Sequence, residues 1–390
     1  MFEQREKCCF DRVYLDWNAT SPLLDVARQS FVNALELIGN PSSVHREGRK
    51  VRLHIEEARC DIADFCGAKP ENVIFTSGAT EAANFVLTPD FYKGRQQIKI
   101  RSLFVSAIEH PSVYTGGRFF PDQIHQIPVL PEGIVDLLAL SDLLSKRNPS
   151  LGIPMVAVML VNNETGVVQP IREISKIIKK HEGILVVDAV QAAGRMSIAI
   201  ETIGADFLIL SSHKIGAPVG AGALVFREEN MLPNHLLRGG DQERGYRAGT
   251  ENLAAICGFS AAVKVMGKDI QERSLAISKL RDYLEEGLRI LVPDITIHGR
   301  NALRVSNTCF FTIPSIKAEV LQIALDLEGI AVSAGAACSS GKLKKNHVLT
   351  AMGCDSSQGA LRVSLGFKTT QEDVDSFLKA LNRTVHRNSS

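Results

Sequence analysis

At 390 residues the chain is longer than one ordinary hydrophobic core serves, so two lobes are expected. Its 45% hydrophobic and 22% charged residues fit a globular protein in water. A net charge of +1, with no basic run interleaved with aromatics, argues against direct nucleic-acid binding, and the absence of any ~18-residue apolar run argues against a membrane span.

The eight cysteines, at 8, 9, 60, 66, 257, 309, 338 and 354, form no CxxC pair and no zinc-like spacing. Cys8 and Cys9 are adjacent and poorly placed to bridge each other, which suits a reducing compartment. Residues 1–7 offer no apolar core for a leader, and Glu3 and Glu6 argue against a transit peptide. The expected location is the cytoplasm.

From 15 to 260, short apolar runs alternate with helical periodicity. Val73-Ile-Phe-Thr, Leu103-Phe-Val-Ser, Met155-Val-Ala-Val-Met-Leu, Ile184-Leu-Val-Val and Phe207-Leu-Ile-Leu are β-branched or aromatic-rich and too short for independent helices. Between them lie amphipathic stretches such as 170–181, with Ile171, Ile174, Ile177 and Ile178 on one face. Continuous apolar strands alternating with helices predict an α/β fold with a mainly parallel sheet covered on both faces.

From about 261 the texture changes. A charged helix over 270–291 precedes alternating runs near 295–297 and 307–313, a helix near 318–327, a short strand, and a final helix from Gln371. These predict a smaller α+β domain of residues 1–14 and 261–390, beside a large domain of 15–260. The Gly/Ser/Lys-rich loop over 334–346 should be its most mobile part, since it offers little to pack.

Five predicted strands end in polar clusters: Ser77-Gly-Ala-Thr-Glu, Glu109-His-Pro, Asn162-Asn-Glu-Thr-Gly, Asp188-Ala-Val-Gln and Ser211-Ser-His-Lys. Open α/β sheets bind ligands beyond the carboxyl ends of their strands, so these clusters point to one shared pocket. An amine at one strand end (Lys214) and a carboxylate at another (Asp188) suit pyridoxal phosphate: the amine forms a Schiff base, the acid keeps the pyridine nitrogen protonated.

Ser77-Gly-Ala-Thr-Glu opens a helix, so the N–H groups of Ala79 and Thr80 and the Thr80 hydroxyl suit a phosphate; a plain helix cap is the alternative. Ser211 and His213 are further phosphate donors, or ordinary turn polarity. Asp188 equally suits a helix cap, and Gln191 a solvated helix face. His110, held extended by Pro111, suits stacking on an aromatic ring or a structural hydrogen bond. Asn163 holds a cofactor oxygen or a substrate carboxylate, or stabilises its turn. Arg362, on a strand at the edge of the second lobe, suits two-point capture of a carboxylate or a surface salt bridge. Cys338, in Ala331-Val-Ser-Ala-Gly-Ala-Ala-Cys-Ser-Ser-Gly341, has Lys342, Lys344 and Lys345 nearby to favour its thiolate, and a loop on which to travel.

Taken together, the residues resemble the cysteine desulfurases of the NifS/IscS type, within the class V aminotransferase superfamily. The resemblance runs from Tyr14-Leu-Asp-Trp-Asn-Ala-Thr-Ser-Pro22 to about Gly366. It passes through Gly39-Asn-Pro-Ser-Ser-Val-His45, Phe75-Thr-Ser-Gly-Ala-Thr-Glu81, Val161-Asn-Asn-Glu-Thr-Gly166, Ser212-His-Lys214, Gln242-Glu-Arg-Gly-Tyr-Arg-Ala-Gly-Thr-Glu-Asn252 and the Cys338 motif.

The resemblance implies a type I pyridoxal phosphate fold with a seven-stranded-type sheet, a homodimer, and Lys214 as the aldimine lysine. It implies His110 stacked on the ring, Asp188 on its nitrogen and Gln191 on its phenolic oxygen. Ala79, Thr80, Ser211, His213 and, from the partner subunit, Thr250 would bind the phosphate. Asn163, Arg362 and Asn40 would hold the L-cysteine carboxylate.

In the implied reaction Cys338 takes sulfur as a persulfide and alanine is released. The sulfur would pass to an acceptor such as an iron–sulfur scaffold. No resident metal is implied, only transient cluster ligation by Cys338. Val219 follows Pro218 where relatives often carry Lys, and the chain ends soon after its last predicted helix, without the longer tail that helps some relatives dock the scaffold. The Ser-x-Gly-x-Ala-Cys motif is similar to the long-loop subgroup. Competing readings are a selenocysteine lyase, a class V aminotransferase, in which Cys338 has no task, or a binding protein with a dead site.

Overall fold

The computed structural model describes residues 12–387 apart from 149, 151, 229–230, 315 and 336–345. Seven strands form the main sheet: β1 (Val73–Thr76), β2 (Ser102–Ser106), β3 (Ile124–Ile127), β4 (Pro154–Met159), β5 (Ile184–Asp188), β6 (Phe207–Ser211) and β7 (Gly222–Phe226). Their spatial order is β1-β7-β6-β5-β4-β2-β3. β7 runs antiparallel to β1 and β6, while the other pairings are parallel.

Successive residues of a strand face opposite sides, and the two apolar layers show it. Leu185 and Val187 of β5 join the layer that holds Ile174, Ile178 and Phe259, whereas Ile184 and Val186 join the layer that holds Phe85 and Phe91. Both faces are therefore covered, as the unbroken apolar runs require. The helix Ile171–Lys179 buries Ile171, Ile174 and Ile178 and turns its lysines outward. Helix Leu253–Met266 packs on helices Asp25–Leu35 and Arg46–Cys66.

A second, four-stranded sheet has the order Thr296–Ile297, Thr308–Thr312, Leu361–Ser364, Ser333–Ala334. Helices Ile270–Leu291, Ala318–Leu327 and Gln371–Arg387 cover it through a separate core that includes Leu284, Leu288, Phe311, Leu321, Leu325, Phe377 and Leu381. Leu15 belongs to this core, and the strand Val13–Tyr14 pairs in parallel with Ile330–Ala331. The strand carrying Arg362 is not at the edge of its sheet: Thr308–Thr312 and Ser333–Ala334 flank it on either side. Among the described residues no helix is long and apolar enough to cross a membrane.

β1 is an edge strand, so its outward backbone groups need partners from elsewhere. An ion pair supplies them. The Glu243 carboxylate accepts the Phe75 N–H (2.8 Å), and Arg59 Nη1 donates to the Val73 carbonyl (2.8 Å). Arg59 and Glu243 also meet in a fork, at 2.7 and 2.8 Å, and both are buried. To deliver its carboxylate, Glu243 adopts φ 48°, followed by Arg244 at φ 57°. Left-handed conformations in non-glycine residues are strained and persist where surrounding contacts hold them.

Candidate active site

The carboxyl ends of β1, β2, β4, β5 and β6 converge on a cavity of about 450 Å³, within the range of small-molecule sites. It is lined by Ala79, Thr80, His110, Asn163, Asp188, Gln191, Ser211, His213 and Lys214, all singled out in the sequence, together with Glu81, Ser112, Met159 and Val161.

Lys214 follows β6 in the turn Ser212–Ile215, which Gly216 closes at φ 80°. Glycine is required there by that φ, and a Cβ would also lie 2.9 Å from Leu24 Cγ. Lys214 Nζ donates to the carbonyls of Asn18 (2.7 Å) and Ala19 (2.8 Å). Burial, with Arg362 and Arg195 adding cationic repulsion, pulls the amine down to about 8, while Asp188 and Asp16 pull the other way. A lysine so placed is neutral often enough near neutral pH to act as a nucleophile and base.

Asp188 ends β5, in register with Ile209 of β6. Burial raises its acid to about 6, so it remains largely ionised at neutral pH. Its Oδ1 accepts the Val190 N–H at 2.9 Å, so it caps the following turn as well as facing the cavity. Gln191 Nε2 donates to the Asn18 carbonyl (3.0 Å), while its Oε1 is buried with no partner. A buried acceptor left open in a polar cavity is costly, and it fits a site that receives a polar group.

His110 caps the short helix Pro111–Tyr114: its Nδ1 takes the Ser112 N–H at 3.2 Å and lies 2.8 Å from Ser112 Oγ. Burial, then Lys214 and His347, hold its imidazole below the usual range, in the neutral form suited to stacking. His213, close to Thr20 Oγ1 at 3.1 Å, is lowered to about 4 by burial and then by Lys214.

Gly78 precedes the helix Ala79–Val86 and leaves its first turn without a side-chain cap. That leaves N–H groups facing the cavity where an anion would sit. The Ser77 N–H is not among them, because Glu81 Oε2 takes it at 2.7 Å. Close approach of β7 to this turn depends on glycine, since a Cβ on Gly222 would lie 2.7 Å from Gly78 Cα. The donors, the acid, the amine and the open Gln191 acceptor together fit pyridoxal phosphate.

Three expected residues stand apart from the cavity lining. Arg362 is buried behind it, with Nη1 on the Asn163 carbonyl (3.0 Å), Nη2 on Asp16 Oδ1 (2.8 Å) and Nε without a partner. Its fork is thus already engaged within the chain. Asn40 is exposed and accepts from the Ser42 N–H (2.9 Å), and Thr250 is exposed; neither lines this cavity. Cys338 lies outside the described residues.

Two residues carry weight that their types did not announce. Asn18 is buried and holds Lys214 and Gln191 through its backbone carbonyl, while its side chain bonds Thr308 and Asn307. Glu109, beside His110, is fully buried, accepts from Ser106 Oγ and the Met159 N–H, and has an unpartnered Oε2. Burial pushes its acid up to about 8, opposed by those two bonds.

Known proteins resemble this chain in both sequence and shape. The class-V aminotransferase family model matches residues 13–377. A cysteine desulfurase IscS from Dictyoglomus turgidum is 35% identical over 96% of this chain and 95% of its own length. An IscS-like cysteine desulfurase from Mycobacterium tuberculosis is 34% identical over 96% of both. The crystal structure of a NifS-like protein from Rickettsia africae superposes with a TM-score of 0.85 at 35% identity, covering 96% of this chain and 99% of that one. A match along almost the whole sequence, joined to a site that fits the same cofactor, means that the chain belongs to the class-V aminotransferase family.

Proposed function

We propose that this protein is a pyridoxal phosphate-dependent cysteine desulfurase, converting L-cysteine to L-alanine and passing the sulfur to Cys338. The observation that carries this reading is the meeting of Lys214, Asp188 and the open Gln191 acceptor around one cavity. Asp188 would hold the proton on the cofactor's ring nitrogen, Gln191 its phenolic oxygen and His110 its face. The first-turn N–H groups of Ala79 and Thr80, with Ser211 and His213, would hold its phosphate.

When bound, the cofactor supplies an electron sink for the pair left on the substrate α-carbon. Lys214, its pKa drawn down by burial and neighbouring cations, would take the α-proton at Nζ. Asn163 lines the cavity and would hold the substrate carboxylate, with Arg362 joining it once the bonds of its fork to Asp16 and the Asn163 carbonyl are exchanged for that carboxylate. The Cys338 thiolate attacks the substrate sulfur, the Cβ–S bond breaks, and its electron pair stays with carbon and is protonated. Net, cysteine and the enzyme thiol become alanine and an enzyme persulfide, a reversible form of cysteine.

The acceptor in this reading is a protein such as an iron–sulfur scaffold. The working form is a homodimer. Thr250 is exposed and does not line its own chain's cavity, and an apolar group on residues 25–66 awaits cover, with Ile38 86% and Val44 87% exposed. The described cysteines Cys60, Cys66, Cys257, Cys309 and Cys354 are all free thiols, in keeping with the cytoplasm. The separate core behind the four-stranded sheet supports a division into a small domain of 1–14 and 261–390 and a large one of 15–260, with Leu15 at the boundary packing in the small one.

The test is production of alanine and sulfide from L-cysteine. Lys214→Ala should lose turnover. Cys338→Ser should keep the yellow cofactor yet lose most persulfide formation. Normal sulfur transfer by Cys338→Ser would sink the assigned nucleophile, whereas undiminished turnover without any persulfide would favour a lyase or aminotransferase.

A further inference from the structure

The segment that carries Thr250 is tied to its own chain's anion-binding turn by a single guanidinium. Arg247 Nε and Nη2 fork onto Glu81 at 2.8 and 3.2 Å. Glu81 lies in the first turn of the helix Ala79–Val86, and its Oε2 also accepts the Ser77 N–H at 2.7 Å. The remaining nitrogen, Nη1, reaches the carbonyls of Ala248 and Gly249, each at 3.4 Å. Those are the two residues before Thr250. Gln242 Oε1 adds a bond from the Gly249 N–H at 3.0 Å, and just upstream the strained Glu243 is held on β1 directly and through Arg59, while the strained Arg244 donates its own Nη2 to the Val73 carbonyl at 3.3 Å.

None of these contacts touches the cavity's reacting groups. Their shared effect is to fix where the backbone at 248–250 stands relative to the chain's own phosphate turn. A short polar side chain such as Thr250 binds an anion usefully only if its backbone is held to within a few tenths of an ångström. Only arginine's planar fork can span a carboxylate and two carbonyls at once.

We infer that Arg247 is a positioning residue for the cofactor phosphate. It holds Thr250 in place to complete the phosphate site of the second subunit, with Glu81 as its anchor. This rests on the reading of Thr250 as a phosphate ligand across a dimer, and the experiment separates the two.

The cofactor affinity of apo-protein is titrated by absorbance, and cofactor release from holoenzyme is timed, for wild type, Thr250→Ala, Arg247→Ala, Arg247→Lys and the Arg247→Ala/Thr250→Ala double variant. Loss of one hydrogen bond to a charged phosphate should weaken binding about tenfold in each alanine variant. The double variant should bind like either single one, because Arg247 acts through Thr250. Arg247→Lys keeps a charge beside Glu81 but not the fork, and should bind like Arg247→Ala. Multiplied losses in the double variant, wild-type affinity in Arg247→Ala, or full rescue by lysine would overturn the inference. Wild-type affinity in Thr250→Ala would instead remove the underlying reading of Thr250, and the inference with it.

Discussion

The most direct consequence of the site's electrostatics is the charge state of Lys214. With its pKa at about 8 in place of the ordinary 10.5, about one amine in eleven is neutral at pH 7, against about one in three thousand for an ordinary lysine. That is a roughly 300-fold larger nucleophilic fraction. Loading of cofactor-free protein with pyridoxal phosphate, followed by stopped-flow absorbance, should therefore quicken about tenfold per pH unit up to pH 7 and level off above pH 8. Arg195 is one of the cations that depress the amine, so Arg195→Met should move the midpoint upward. A rate that keeps climbing to pH 10 in wild type would refute the argument, because the amine would then behave as if solvated. The same shift bears on stability. A protonated Lys214 is penalised in the folded state, fully below about 8, and the penalty fades as pH rises towards the unfolded value.

Glu109 gives the opposite dependence. Its folded pKa of about 8 lies above the unfolded value, so folding holds a proton that the unfolded chain has lost, and stability falls as pH climbs from about 4.5 to 8. Glu109→Gln keeps an oxygen for Ser106 and Met159; urea denaturation should show it close to wild type at pH 5 and more stable than wild type at pH 8. Gly366→Ala would place a Cβ 2.0–2.1 Å from the ring of Trp17, itself buried against Phe367 at 5.2 Å. Overpacking of that kind costs about 1–3 kcal/mol, and the urea midpoint should fall accordingly; an unchanged midpoint would show that Trp17 can move aside.

What the sequence disclosed follows from what each feature demands of residue type. Strands such as Ile184–Asp188 are buried along their whole length and must be apolar, so they stand out. β3, Ile-His-Gln-Ile, lies at the sheet edge with only Ile127 fully buried, and leaves almost no pattern. The outer hairpin of Asp90–Lys93 and Gln96–Lys99 is mostly exposed and equally quiet. In the site, side chains that face the cavity were legible at strand ends. Asn18 was not, because it holds Lys214 by a carbonyl that any residue carries. Arg362 showed its alternation but not its neighbours, since the strands flanking it are remote in sequence. Asn40 and Thr250 stand out only through motif resemblance, since neither reaches the cavity of its own chain.

The ion pair of Arg59 and Glu243 on β1 has a bearing on how this protein behaves in concentrated solution. An uncovered strand with free backbone donors and acceptors is a template on which another molecule can add its own strand and begin a stack. Here the template is masked by side chains and not by a further strand, and the mask depends on one carboxylate held in a strained turn. A change at Glu243 that spared the catalytic groups would still leave a purified sample prone to self-association, and thioflavin-positive material on storage would be its sign.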